Sequence, residues 1–106
     1  MIESAAIETP QDLLGSVVIP KRGRDSGRPG VIVGWLDEGE FALVADGRLR
    51  PVSKPKKKNM KHLIFTKCRP RELYLGFLTG ERITDRMIRK ELAAFGEQTG
   101  IGRQYG

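Results

Sequence analysis

The residues of this chain whose types and spacing amount to a chemistry are its lysines and arginines. Lys21-Arg22-Gly23-Arg24-Asp25-Ser26-Gly27-Arg28 sets four cations within eight residues, and Lys54-Pro55-Lys56-Lys57-Lys58-Asn59-Met60-Lys61-His62 sets five more, with a histidine, within nine. Arg48 and Arg50 stand between the two clusters. Guanidinium groups donate paired hydrogen bonds to phosphate oxygens, and ammonium groups act as compact point charges, so such clusters are built to neutralise a polyanion. Gly27 serves the same end, because a residue without Cβ lets the backbone approach a phosphate closely and take angles closed to other residues.

Other chemistries find less support. His62 and Cys68 are each the only residue of their kind, too few for a four-ligand zinc site, and as a nucleophile pair they are outweighed by packing or, for His62, by help in polyanion binding at a strand start. Asp25, Asp37 and Asp46 are the acids a nuclease would use, but they fall in turns without metal-ligand spacing. Gly27-Arg28-Pro29-Gly30 has the form of a G-x-x-G loop but lies between strands rather than helices, and no Gly-Lys-Ser or Gly-Lys-Thr closes a phosphate-cradling loop. Trp35 and Phe41 sit in the most apolar segments and are read as core rather than as base-stacking platforms. Lys54-Pro-Lys-Lys-Lys also has the form of a nuclear address, although phosphate binding accounts for the same residues more simply. The expectation is a protein that is not an enzyme and needs no cofactor or metal.

The totals agree. A chain of 106 residues with 39% apolar and 7% aromatic content holds one small domain with a modest core, too small to enclose a large cofactor. Net charge is +6, and it is unevenly spread: residues 16–69 hold thirteen bases against five acids, a balance of +8, whereas residues 1–15 hold three acids and no base. The middle of the chain is therefore the polyanion-binding candidate. One cysteine cannot form an internal disulfide, no apolar run reaches the roughly 18 residues a membrane span needs, and the first residues lack a basic region ahead of an apolar one. A cytoplasmic protein without a membrane association is expected.

The elements that must position these cations are mostly strands. Val17-Val18-Ile19, stopped by Pro20, then Val31–Leu36 and Phe41–Ala45 are short β-branched or apolar runs bounded by glycine, proline and acidic turns. Asp46-Gly47 has the form of a two-residue hairpin turn, after which Arg48-Leu49-Arg50-Pro51-Val52 alternates as a returning strand with both arginines on one face. Lys54–Lys58 is read as a basic loop and His62–Phe65 as a fifth strand. Five short strands in about fifty residues suit a strongly bent barrel, which leaves no unpaired edges. Beyond Pro70, residues 72–78 can form a short helix ended by Thr79-Gly80. A second helix starts at Thr84 and ends at Gly96 or Gly100, with Ile83, Met87, Ile88, Leu92, Ala94 and Phe95 on one side and Arg82, Arg86, Arg89 and Lys90 on the other. That basic stripe is read as a solvated face. Thr9-Pro10-Gln11-Asp12 suits at most one helical turn, and the final residues, Tyr105 among them, read as a frayed tail.

The run from Gly15 to Val33, strand, basic glycine-bearing turn and second strand, resembles the KOW motif. With the basic stretch at 45–63, the chain is similar to bacterial KOW-domain RNA-binding proteins related to large-subunit ribosomal proteins of archaea and eukaryotes. The segment Ile83–Leu92 resembles a C-terminal helix found in many of them. The resemblance implies a mainly β fold, an SH3-like five-stranded barrel of KOW type over residues 15–66, with a C-terminal α-helical extension and tail over 67–106 and an unmatched flexible acidic arm over 1–14. In that resemblance Gly27 matches the family's invariant glycine, and Lys21, Arg22, Arg24, Asp25 and Arg28 form the RNA-contacting loop. The expected function is non-enzymatic binding of ribosomal or other structured RNA, or the ribosome. Lys21, Arg22, Arg24, Gly27, Arg28, Arg48, Arg50, Lys54, Lys56, Lys57, Lys58, Lys61 and His62 are the expected contact residues. The alternative is a protein-interaction module of a transcription or translation factor.

Overall fold

The computed structural model describes residues 13–100. The readings made for residues 1–12 and 101–106, the acidic arm, the turn at Thr9–Asp12 and the C-terminal tail, lie outside the described residues. Five strands follow in order: β1 (Val17–Pro20), β2 (Gly30–Leu36), β3 (Phe41–Ala45), β4 (Lys56–Asn59) and β5 (Leu63–Phe65). Helices α1 (Arg71–Thr79) and α2 (Asp85–Thr99) come last, and short 3-10 turns occupy Asp37–Gly39 and Met60–His62. The strands form one antiparallel sheet in the order β4-β3-β2-β1-β5.

Alternation along the strands gives the sheet two apolar faces. Val17, Ile19, Val31 and Ala45 meet Leu73 of α1, Ile83, and Ile88 and Phe95 of α2. Val18, Ile32, Ala42, Val44 and Leu63 form a second core on the other face, against which Leu13, Leu14, Trp35, Met60 and Phe65 pack. Register shifts between Ile32 and Gly34, a β-bulge at Val33. The extra residue reverses the alternation, so Trp35 sits opposite Ala42 and joins the second core instead of following Val31 and Val33 toward the helices.

The sheet is strongly bent, for a reason its connections make plain. Edge strands of a flat five-stranded sheet stand about 19 Å apart. Here the two edges, β4 and β5, are joined by the three-residue turn Met60–His62, and the four Cα steps from Asn59 to Leu63 cannot reach beyond about 15 Å. The turn is tied to both sides: Met60 N–H donates to Glu40 O at 3.1 Å, before β3, and Lys21 N–H donates to His62 O at 2.7 Å, after β1. No backbone ladder joins β4 to β5 among the described residues, so the sheet is not closed into a barrel.

Several boundaries differ from those expected. Arg48–Val52 is a loop, not a strand. The Asp46 carboxylate takes the N–H groups of Arg48 and Arg50 at 2.8 and 2.9 Å, which removes two donors a ladder would need. The strand that pairs with β3 is Lys56–Asn59, part of the stretch read as a basic loop; lysines suit the exposed side of an edge strand, where they discourage pairing with other chains. Pro20 lies within β1, opposite Leu63, and His62 belongs to the 3-10 turn.

The helices follow expectation more closely. Thr84 Oγ1 accepts from Met87 N–H at 3.2 Å, and Gly80 and Gly100 end α1 and α2 in the left-handed conformation. What attaches them is apolar: each of Leu73, Ile83, Ile88 and Phe95 contributes about 1.5–3 kcal/mol by burial. The Lys90–Glu72 pair, at 4.0 Å and mostly exposed, contributes little. No helix among the described residues is long and apolar enough to cross a membrane.

Candidate nucleic-acid interface

The loop from Lys21 to Pro29 is closed at its base by Gly27 N–H donating to Pro20 O at 2.9 Å. Gly27 has φ +83° and Gly23 φ +87°, angles that favour glycine, so the chain can fold back within a few residues. Ser26 adds an inner brace, its hydroxyl donating to Lys21 O at 3.2 Å. Lys21, Arg22 and Arg24 are left exposed on the outside of this loop.

Two carboxylates join that loop to the rest of the basic surface. Asp25 Oδ2 lies 3.2 Å from Arg50 Nε and 3.7 Å from Lys58 Nζ. Asp46 uses Oδ1 for the amides of Arg48 and Arg50, and its Oδ2 lies 3.8 Å from Arg28. Each acid therefore belongs to one segment and serves cations of another, and three stretches far apart in the chain converge. Arg28, Arg50, Lys56 and Lys58 line one shallow depression with Asp25 and Asp46.

The Asp46–Val52 loop is held from behind by α2. Gly47 is buried at φ +79°, and a side-chain carbon there would come within 2.7 Å of Asp85 O and 2.8 Å of Arg89 Cγ. Arg89 Nη1 donates to Gly47 O at 2.8 Å, and Val52 N–H donates to Asp85 Oδ1 at 2.7 Å. The helix thus fixes the loop that carries Arg48 and Arg50.

Not every expected residue joins this surface. Lys56 and Lys58 stand opposite Val44 and Ala42, whereas Lys57, opposite Leu43, points to the other face of the sheet, where its ammonium lies 4.3 Å above the Phe41 ring. Lys54 and Lys61 are exposed on either side of β4, and His62 is half-buried, its carbonyl backing the first loop. The feature that residue counting missed is the organising role of Asp25 and Asp46. The signal was present, one acid within each arginine-bearing turn, but it shows nothing without knowledge of which turns meet. Among the described residues no group of three or more His, Cys, Asp or Glu side chains is placed to hold a metal ion. Cys68 is half-buried, and burial, with the Glu91 charge adding to it, raises its pKa above the ordinary thiol value.

Compared with known proteins, the chain matches no protein-family model, and no curated protein is significantly similar to it in sequence.

Proposed function

We propose that this chain is a cytoplasmic, non-enzymatic RNA-binding protein, an SH3-like barrel of KOW type that binds ribosomal or other structured RNA. The observation that carries the reading is the convergence of the Lys21–Arg28 loop, the Arg48–Arg50 loop and the Lys56 and Lys58 side of β4 around Asp25 and Asp46. Arg28, Arg50 and Lys58 pair with the two acids there, and the exposed bases of the same three stretches, Lys21, Arg22, Arg24, Arg48 and Lys56, are free to neutralise phosphates. The bent sheet with its 3-10 connection between β4 and β5 supports the barrel-like architecture.

In this mechanism the scaffold holds the backbone of the basic loops before the ligand arrives, so the ordering cost on binding is confined to the exposed side chains. Each neutralised phosphate releases counterions, and affinity falls with salt by about 0.7–0.9 logarithmic units per contact for each tenfold rise. Nothing in the surface forms a code for base edges, so shape and charge dominate over sequence. The test is binding of a ribosomal RNA stem-loop, followed by fluorescence anisotropy across a salt series, for the natural chain and for Lys56→Glu/Lys58→Glu. Tight, steeply salt-dependent binding that weakens and flattens in the variant is expected. Affinity unchanged by the double reversal would refute the site.

A second reading, a protein-interaction module, draws on a groove between the outer face of β3 and the end of α1, where Val33, Leu43, Val52 and Phe77 are lined up beside Arg82. Binding there would survive high salt, which separates the two.

A further inference from the structure

Resting on the RNA reading, we infer that the phosphate-binding track does not end at the β-sheet but crosses onto α2 through Arg86. The seam between Gly47 and Asp85 fixes the geometry. Asp85 O lies 2.7 Å from where a Gly47 Cβ would be. Adding the covalent steps to the next residue on each side, the Cα atoms of Arg48 and Arg86 stand no more than about 11 Å apart. Both side chains are exposed.

On α2 itself the charges nearest Gly47 are already committed, which leaves Arg86 as the exposed cation of this helix beside the seam. The Asp85 carboxylate accepts from Val52 N–H, Arg89 donates to Gly47 O, and Lys90 is loosely paired with Glu72 at 4.0 Å. Arg89 is thereby a positioning residue for the Arg48 loop. Arg86, one step around the helix and away from Ile88 and Phe95, carries a guanidinium that nothing in the fold employs. A sugar–phosphate backbone engaged by Arg48 presents further phosphates within reach of Arg86, since every nucleotide carries one charge and two long arginine side chains bridge the gap between their Cα atoms. The basic stripe on α2 is in this respect more than the solvated side of an amphipathic helix.

The experiment measures binding of a ribosomal RNA stem-loop to the full chain across a salt series, comparing Arg86→Glu, Arg86→Lys, Arg48→Glu and Lys67→Glu. Lys67 is an exposed control: Cys68 O, next to it, accepts from Val17 N–H at 2.8 Å, at the end of β1 remote from the basic loop. Arg86→Glu should weaken binding about three- to tenfold and flatten the salt slope by about 0.7–0.9, with an unchanged melting temperature. Arg86→Lys should restore the slope. Lys67→Glu, with the same change in net charge, should leave the slope alone. If Arg86→Glu and Lys67→Glu behave alike while Arg48→Glu weakens binding, the α2 track is overturned and the RNA reading stands. If the natural chain does not bind the stem-loop at all, both fall together.

Discussion

Lys58 Nζ and Asp25 Oδ2 meet at 3.7 Å, tying the edge strand β4 to the loop after β1. The two side chains are only 12% and 14% exposed, and Arg50 Nε reaches the same oxygen at 3.2 Å. Water screens this cluster less than it screens a surface pair, so the carboxylate both orders the loop and occupies cations that a phosphate would otherwise attract.

Asp25→Asn separates those two effects. Removing the charge leaves Arg50 and Lys58 facing each other unneutralised, and stability should fall by about 1–3 kcal/mol, read from the urea midpoint. RNA binding at low salt should tighten and its salt slope steepen, because the freed cations now meet phosphates. Weaker binding with a flatter slope would show that ordering of the loop outweighs the competition.

Lys56 and Lys57 are neighbours with identical charge on opposite faces of β4. Lys56→Glu should therefore cost more RNA affinity than Lys57→Glu, although net charge changes equally. Equal losses would mean that the overall field, not the mapped surface, drives binding.

Gly47→Ala and Gly100→Ala both place a side chain at a φ near +80°, but only Gly47 has neighbours in the way. Backbone strain alone costs about 1 kcal/mol at Gly100. At Gly47 the collision with Asp85 O and Arg89 must be added, and a loss of about 3 kcal/mol or more is expected. Chemical unfolding of the two variants checks the ranking.

The Cys68 thiol, its pKa raised by burial and further by Glu91, stays protonated at neutral pH and should react slowly with iodoacetamide. Glu91→Gln should lower that pKa and speed the reaction at mildly alkaline pH. The linkage has a definite sign: the folded state holds this proton more tightly than the unfolded one. The contribution to stability is complete below the ordinary thiol pKa and is lost as pH rises through the folded value.

Periodicity made β1, β2, β3 and α2 legible, because apolar residues recur there at the spacing of a strand or a helix. It failed where side-chain chemistry outweighs pattern. Arg48-Leu49-Arg50 alternates like a strand, yet Asp46 captures the amides that pairing needs. Lys56–Asn59 carries no apolar residue, yet pairs with β3 because an edge strand needs only backbone donors and acceptors. The site shows the same division. Basic residues could be counted from the chain, but their grouping depends on contacts such as Asp25 with Lys58, and the separation of Lys57 from its neighbours depends on strand register.

The order β4-β3-β2-β1-β5 has a kinetic corollary. β5 completes the sheet by pairing with β1, the strand most distant from it in sequence, through Val18–Phe65, Ile19–Ile64 and Pro20–Leu63. Hairpin zippering from β2 through β4 cannot deliver that contact, so a large loop-closure entropy must be met before the docking is rewarded. Mutations that weaken this long-range pairing, such as Ile64→Ala, are therefore expected to slow folding as well as lower stability, which stopped-flow refolding reads directly.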